Sequence, residues 1–178
     1  MTRTKSFDLV RAEIEANGDA LYHAYIRLDK HTVKKNSRPI FRNRSTGRAF
    51  IGKSQGLHSA EAHLISEFRR AILRKPNFKE IDQPIWCVFL FYFKANDFVV
   101  KQGPRRGRLS QRIPDLSNLV ELPADCLTKA GIISDDHLIC SLDLSRRLPA
   151  EHCALEVFIF RYALDLQKPV ALVRDESK

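Results

Sequence analysis

Hydrophobic and polar positions alternate along Leu21–Leu28. Tyr22, Ala24, Ile26 and Leu28 share one side, and this period of two predicts a strand. Leu57–Leu73 changes to a helical period: Ala60, Leu64, Phe68 and Ile72 recur every four residues, and Pro76 follows the end of the run. Ile85–Lys94, I-W-C-V-F-L-F-Y-F-K, is apolar on both faces, the pattern of a central strand covered on both sides. Its Trp86 and phenylalanines therefore read as core rather than as a platform for stacking bases. Leu138–Leu144 and Ala154–Ala163 read as two further strands, joined by Ser145–Cys153 with Arg146, Arg147 and Pro149. Ahead of all these, Ser6–Asn17 reads as a short helix. Ser6 is its N-cap, Phe7, Val10 and Ile14 share a face, and Asn17-Gly18 ends it. The pattern predicts one α/β domain over residues 21–165, with a mixed sheet of four or five strands and two main helices. Residues 1–20 form a helical extension that packs on the domain or on a partner subunit. Residues 166–178 form a tail without a strong pattern.

Composition narrows the class. The 178 residues suffice for one domain with a real core, and 44% apolar with 29% charged residues suits a soluble globular chain. No apolar run reaches the ~18 residues of a membrane span, and the start, M-T-R-T-K-S-F-D, lacks the apolar core of a secretory signal. Cys87, Cys126, Cys140 and Cys153 form no C-x-x-C pair, a spacing unsuited to zinc. They read as buried thiols in a reducing compartment. His58 and His63 are five apart and share no helix face, so they read as surface or packing residues.

The net charge of +9 is unevenly distributed. Residues 1–112 hold 23 Lys/Arg against 10 Asp/Glu, and residues 113–178 hold 7 against 11. Lys30, Lys34, Lys35, Arg38, Arg42, Arg44, Arg48 and Lys53 occur with no acid between Asp29 and Glu61, among turn residues and with Phe41 and Phe50 interleaved. This reads as a hairpin or long loop that lies on phosphate, because like charges without a counter-charge repel one another and favour an anion. Lys101, Arg105, Arg106, Arg108 and Arg112 form a second, flexible cluster that leads into Pro114-Asp115.

The acids gather in the stretch Ile113–Asp143. Asp115 follows a proline, which biases its neighbourhood to extended or turn structure. A short helix follows, ending near Lys129-Ala130 with Gly131 as left-handed cap. Asp135 and Asp136 come next, at a turn. If strand and helix pack together, Asp115 and Asp135-Asp136 can meet, and converging carboxylates repel unless protonated or holding a cation. A hard divalent ion such as magnesium answers that repulsion with oxygen ligands. Ser117, Glu121 and Asp125 lie at i, i+4 and i+8 on one helical face. Glu121 has two readings: a carboxylate for the site, or the closing member of a capping box that begins at Asn118. Pro123 is tolerated in a first turn, so the helix can start as late as Glu121. Asp143 reads as a solvent or edge residue.

P-D-L-S-N-L (114–119), the helix with A-D-C-L-T-K-A-G (124–131) and the following D-D (135–136) resemble the RusA family of Holliday junction resolvases. The family motif is P-D-x-D-N-x-x-K, a helix Asp, then A-G and D-D. The likeness covers about residues 22–163. It implies a small α/β homodimer that cuts four-way DNA junctions with magnesium, manganese being an alternative, in the cytoplasm of a bacterial or phage-infected cell. It places Asp115 as the first motif carboxylate, Asn118 as the motif Asn, Asp125 as the helix Asp and Asp135-Asp136 as the terminal pair. Two positions depart: Ser117 stands where the family has Asp, and Glu121 where it has Lys. The implied chemistry is phosphodiester hydrolysis. Asp115 and Asp136 hold the metal, and Asp135, Asp125 and Glu121 complete or support the site. The bases at Lys34, Lys35, Arg38, Arg42, Arg44, Arg48, Arg105, Arg106 and Arg108 hold DNA. A chain on the same scaffold that binds branched DNA without cutting is the alternative, and an unrelated basic RNA-associated protein a third.

Overall fold

The computed structural model describes residues 4–28, 40–42, 45–51, 55–110 and 113–163. In chain order these form α1 (Thr4–Ala16), β1 (Tyr22–Leu28), β2 (Ile40–Arg42), β3 (Ala49–Ile51), α2 (Gln55–Leu73), β4 (Ile85–Lys94), α3 (Ala95–Phe98) and α4 (Leu116–Ala130). A 3-10 turn (Asp136–Leu138), β5 (Ile139–Ser141), β6 (Arg146–Ala150) and β7 (Cys153–Arg161) complete the order. Five strands make one mixed sheet. β1 pairs antiparallel with β7, β7 pairs antiparallel with β4, and β5 and β6 both lie parallel to β4 along its other edge. β2 and β3 form a separate antiparallel hairpin, Ile40 opposite Ile51. The mixed α/β architecture is the one the hydrophobic pattern predicts.

β4 is buried on both faces. Ile85, Cys87, Phe89, Phe91 and Phe93 join the inward residues of α2, α4, β1 and β7 in the main core. Val88, Leu90 and Tyr92 face the other way, where Ile14 of α1 closes a second cluster with Leu148, Ala154 and Phe160. α1 therefore packs on the sheet of its own chain. It starts at Thr4, so Ser6 lies inside the helix rather than capping it.

α4 differs from expectation at its start. It begins at Leu116 with Asp115 as N-cap, so Asn118 is in the first turn and heads no capping box, and Pro123 is interior. A proline there removes one backbone bond and costs about 3 kcal/mol. Burial of Leu119, Leu122 and Leu127 offsets it, at roughly 1.5–3 kcal/mol each. The C-terminus is as expected: Gly131 adopts φ +74°, and its N–H reaches the carbonyls of Leu127 and Thr128.

The strand expected at Leu138–Leu144 is shorter. The Asp135 side chain accepts from the His137 N–H and winds 136–138 into a 3-10 turn, which leaves only Ile139–Ser141 extended. Ser145–Cys153, expected as a connection, contains β6. β5 and β6 are one edge strand interrupted at residues 142–145, where Leu144 has φ +66°. The buried Ser145 hydroxyl accepts the Phe89 N–H at 3.0 Å, in place of the missing ladder bond.

On the far face of the sheet Glu156 is buried, its side chain 2% exposed. Tyr92 donates to it at 2.7 Å, His23 lies at 2.9 Å and Arg11 at 3.2 Å. Burial pushes this carboxyl up, but the bonds from His23 and Tyr92 and the Arg11 charge hold it below the ordinary value. A depressed carboxylate contributes stability above its unfolded pKa and loses it as the pH falls through the folded one. Glu156→Gln should cost about 1.5–3 kcal/mol at pH 7, and the difference from wild type should shrink as the pH drops below about 4.3. Urea unfolding from pH 7 to pH 3 measures this, and a gap that widens toward acid would contradict it.

Candidate active site

Asp115 follows Pro114 in extended backbone and caps α4, its carbonyl accepting the Leu119 N–H at 3.1 Å. Its side chain makes no capping bond and is exposed. The positive end of the α4 dipole favours a carboxylate there. Ser117 is exposed at the start of the same helix. Glu121 and Asp125 are half-buried on the same stripe, opposite the face that buries Leu119, Leu122 and Leu127. The helix face inferred from the spacing is thus real.

Asp135 and Asp136 are exposed on the turn beyond the other end of α4. Asp135 accepts from the His137 N–H at 2.9 Å and meets the His137 Nδ1 at 2.7 Å. The backbone bond first, then the imidazole, holds its carboxyl below the usual range. The turn sits near the start of β4: Ser134 donates to the Ile81 carbonyl, and Ile139 lies opposite Ile85.

The structure does not bring Asp115 and Asp135-Asp136 together within one chain. Fifteen helical residues lie between them, and at about 1.5 Å per residue they span about 22 Å. The sheet agrees. Pro114 is held by Arg147, which pairs with Phe91, six residues up β4 from Ile85. Among the described residues no three His, Cys, Asp or Glu side chains gather to hold a metal ion. The expected convergence fails because α4 runs antiparallel to β4 and continues as helix through Pro123.

Of the basic residues, Arg48, Arg105, Arg106 and Arg108 are exposed. Lys34, Lys35, Arg38 and Arg44, and the Arg42 side chain, lie outside the described residues. Of the second cluster, Lys101 to Arg108 lie on a hydrogen-bonded loop, and Arg112 lies outside the described residues. Val99 bridges Leu109, Val100 donates to the Arg108 carbonyl and Gly107 to the Val100 carbonyl. Gly103 and Gly107 supply the positive φ its turns require. Asn96, Lys101 and Arg106 line an open depression of about 440 Å³ beside it.

Sequence reasoning missed one cation. Arg147, half-buried on β6, donates its Nη1 hydrogen to the Pro114 carbonyl at 3.1 Å, one residue from Asp115. The hint available was the pair of arginines before Leu148-Pro149, a short alternation taken for a connection.

A mixed sheet with two helices on one face, an exposed carboxylate at the start of one and an exposed pair past its end, beside bases, has the parts of a phosphodiester-cleaving domain. Comparison with protein families makes that assignment: the model for the endodeoxyribonuclease RusA matches residues 31–159. The match covers well over half of the chain, and the chain belongs to the RusA family. No curated protein matches it. Among the described residues no helix is long and apolar enough to cross a membrane.

Proposed function

We propose that this RusA-family chain is a magnesium-dependent endonuclease that resolves four-way DNA junctions as a homodimer, in recombination and repair. The observation that carries the reading is the motif Pro114–Asp136 inside the family match, with its carboxylates exposed at the two ends of α4.

Asp115 and Asp136 do not fit one ion within a chain. Two copies related by a two-fold axis remove the difficulty, because the Asp115 end of one α4 can face the Asp136 end of the other. Two such composite sites then form, each with oxygen donors suited to magnesium or manganese. Asp135 and Asp125 support the carboxylate set, and Glu121 supplies an acid where Ser117 offers only a hydroxyl. A bound divalent ion would activate water and neutralise charge on the scissile phosphate. The chain's own residues orient the backbone: the exposed Arg105, Arg106 and Arg108 loop leads to Asp115, and the 30–53 segment adds further bases. A two-fold protein also matches the near two-fold symmetry of a four-way junction, so paired strands can be cut.

Ser117 and Glu121 support a second reading, junction binding without turnover, because one ligand and one cation of the family motif are missing. A labelled four-way junction in magnesium, run beside Asp136→Asn, separates the two. The enzyme reading expects symmetric nicks that fall by at least 100-fold in the variant. Gel shift in calcium with no cutting in magnesium or manganese would leave a binding protein. The basic loop has its own test. Replacing Arg105, Arg106 and Arg108 by Ser should flatten the log–log salt dependence of junction binding, by roughly 0.9 for each phosphate no longer neutralised. An unchanged slope would remove the loop from the interface.

A further inference from the structure

The edge strand beside α4 is irregular in register. Ile139 pairs with Ile85, Ser141 with Trp86, and Arg146 with Leu90. Between Trp86 and Leu90 the edge strand therefore contains one residue more than β4. Partners in a parallel pair point to the same face of a sheet; each extra residue exchanges the faces, and the other shift, between Ile85 and Trp86, exchanges them back, so Arg147 shares a face with Ile139. Arg147 stands opposite Phe91, on the face where Phe91 packs under the helices, while Leu148 turns to the second core.

The irregularity is held in place by specific contacts. Leu144 takes a left-handed backbone, which a branched side chain disfavours. Ser145 is 1% exposed and accepts the Phe89 N–H. Its own N–H bonds the Leu142 carbonyl, and the Trp86 indole donates to the Asp143 carbonyl at 2.9 Å. Beyond this segment, β6 carries the Arg147 guanidinium to the Pro114 carbonyl, at 3.1 Å. Pro114 is buried and Asp115 exposed, so the bond fixes the backbone from which the Asp115 carboxylate projects.

We infer that Arg147 is a positioning residue of the Asp115 half-site, aimed there by its place opposite Phe91 on β6. The inference rests on reading Asp115 as a metal ligand. Arg147 acts through the Pro114–Asp115 backbone, setting where the carboxylate would stand to meet a divalent ion. A planar fork with several donors suits this task better than a single ammonium.

The test compares Arg147→Ala and Arg147→Lys with Arg146→Ala, an exposed neighbour on the opposite face. Amide hydrogen exchange at residues 116–120 should quicken at least 10-fold in Arg147→Ala, with β4 amides unchanged. Affinity for manganese, read by electron paramagnetic resonance, should fall about 10-fold. Junction affinity in calcium should stay within twofold while kcat in magnesium falls. Arg147→Lys should lie between, and Arg146→Ala should match wild type. Unchanged exchange and manganese affinity in Arg147→Ala would overturn the inference. So would exchange that quickens across the whole sheet with manganese affinity intact, since that marks a structural role alone. If Arg147→Ala does not fold, Arg147→Lys carries the same readouts. Should the wild-type chain cut no junction, the function reading fails, while exchange and metal affinity still decide the role of Arg147.

Discussion

The length of α4 is the constraint on which the site depends. Fifteen residues of unbroken helix stand between Asp115 and the turn that carries Asp135 and Asp136. A helix is stiff, so the two ends of α4 are held about 22 Å apart. Pro123 offers a place to bend, yet the buried leucine stripe on either side keeps α4 seated on α2 and the sheet. The separation has a chemical consequence. Carboxylates that far apart cannot share an ion, and each remains in water, where its charge is easily borne. On the function proposed above, the site would be completed by a second copy that supplies the missing half, and metal binding would then be coupled to assembly.

β4 converts this constraint into a surface. It is paired on both edges and covered on both faces, so everything around it takes its position from it. β7 and β1 extend the sheet to one side, away from the carboxylates. The broken edge strand lies on the other side, beside α4, and there Arg147 meets Pro114. The buried Glu156 network with Arg11, His23 and Tyr92 lies on the opposite face and fastens α1 to the sheet. It contributes to stability and stands apart from the chemistry proposed for the other face.

Much of the fold was legible in the sequence where one periodicity dominates. The alternation of Tyr22, Ala24 and Ile26, the four-residue recurrence of Leu64 and Phe68, the two-faced run of β4 and the Gly131 cap all appear where expected. The misses occur where a side chain substitutes for backbone pairing. The Asp135 carboxylate winds the start of a strand into a 3-10 turn, and the Ser145 hydroxyl splits an edge strand in two. Neither leaves a trace in hydrophobic period. Asp115 and Asp135-Asp136 were recognisable by motif, but sequence separation carries no information on the direction of the helix between them. The basic clusters were legible as charge; the closed form of the 99–109 loop depends on two glycines and a β-bridge that composition does not reveal.

The most direct measurement is complementation between two inactive variants. Asp115→Asn and Asp136→Asn chains are expressed together with different tags, and the mixed dimer is purified through both. If each site takes Asp115 from one copy and Asp136 from the other, the mixed dimer has one intact site and one doubly altered site. It should nick a four-way junction on one strand in magnesium, while either parent alone does not. A mixed dimer as inactive as its parents would contradict the account and return both carboxylates to a site within a single chain.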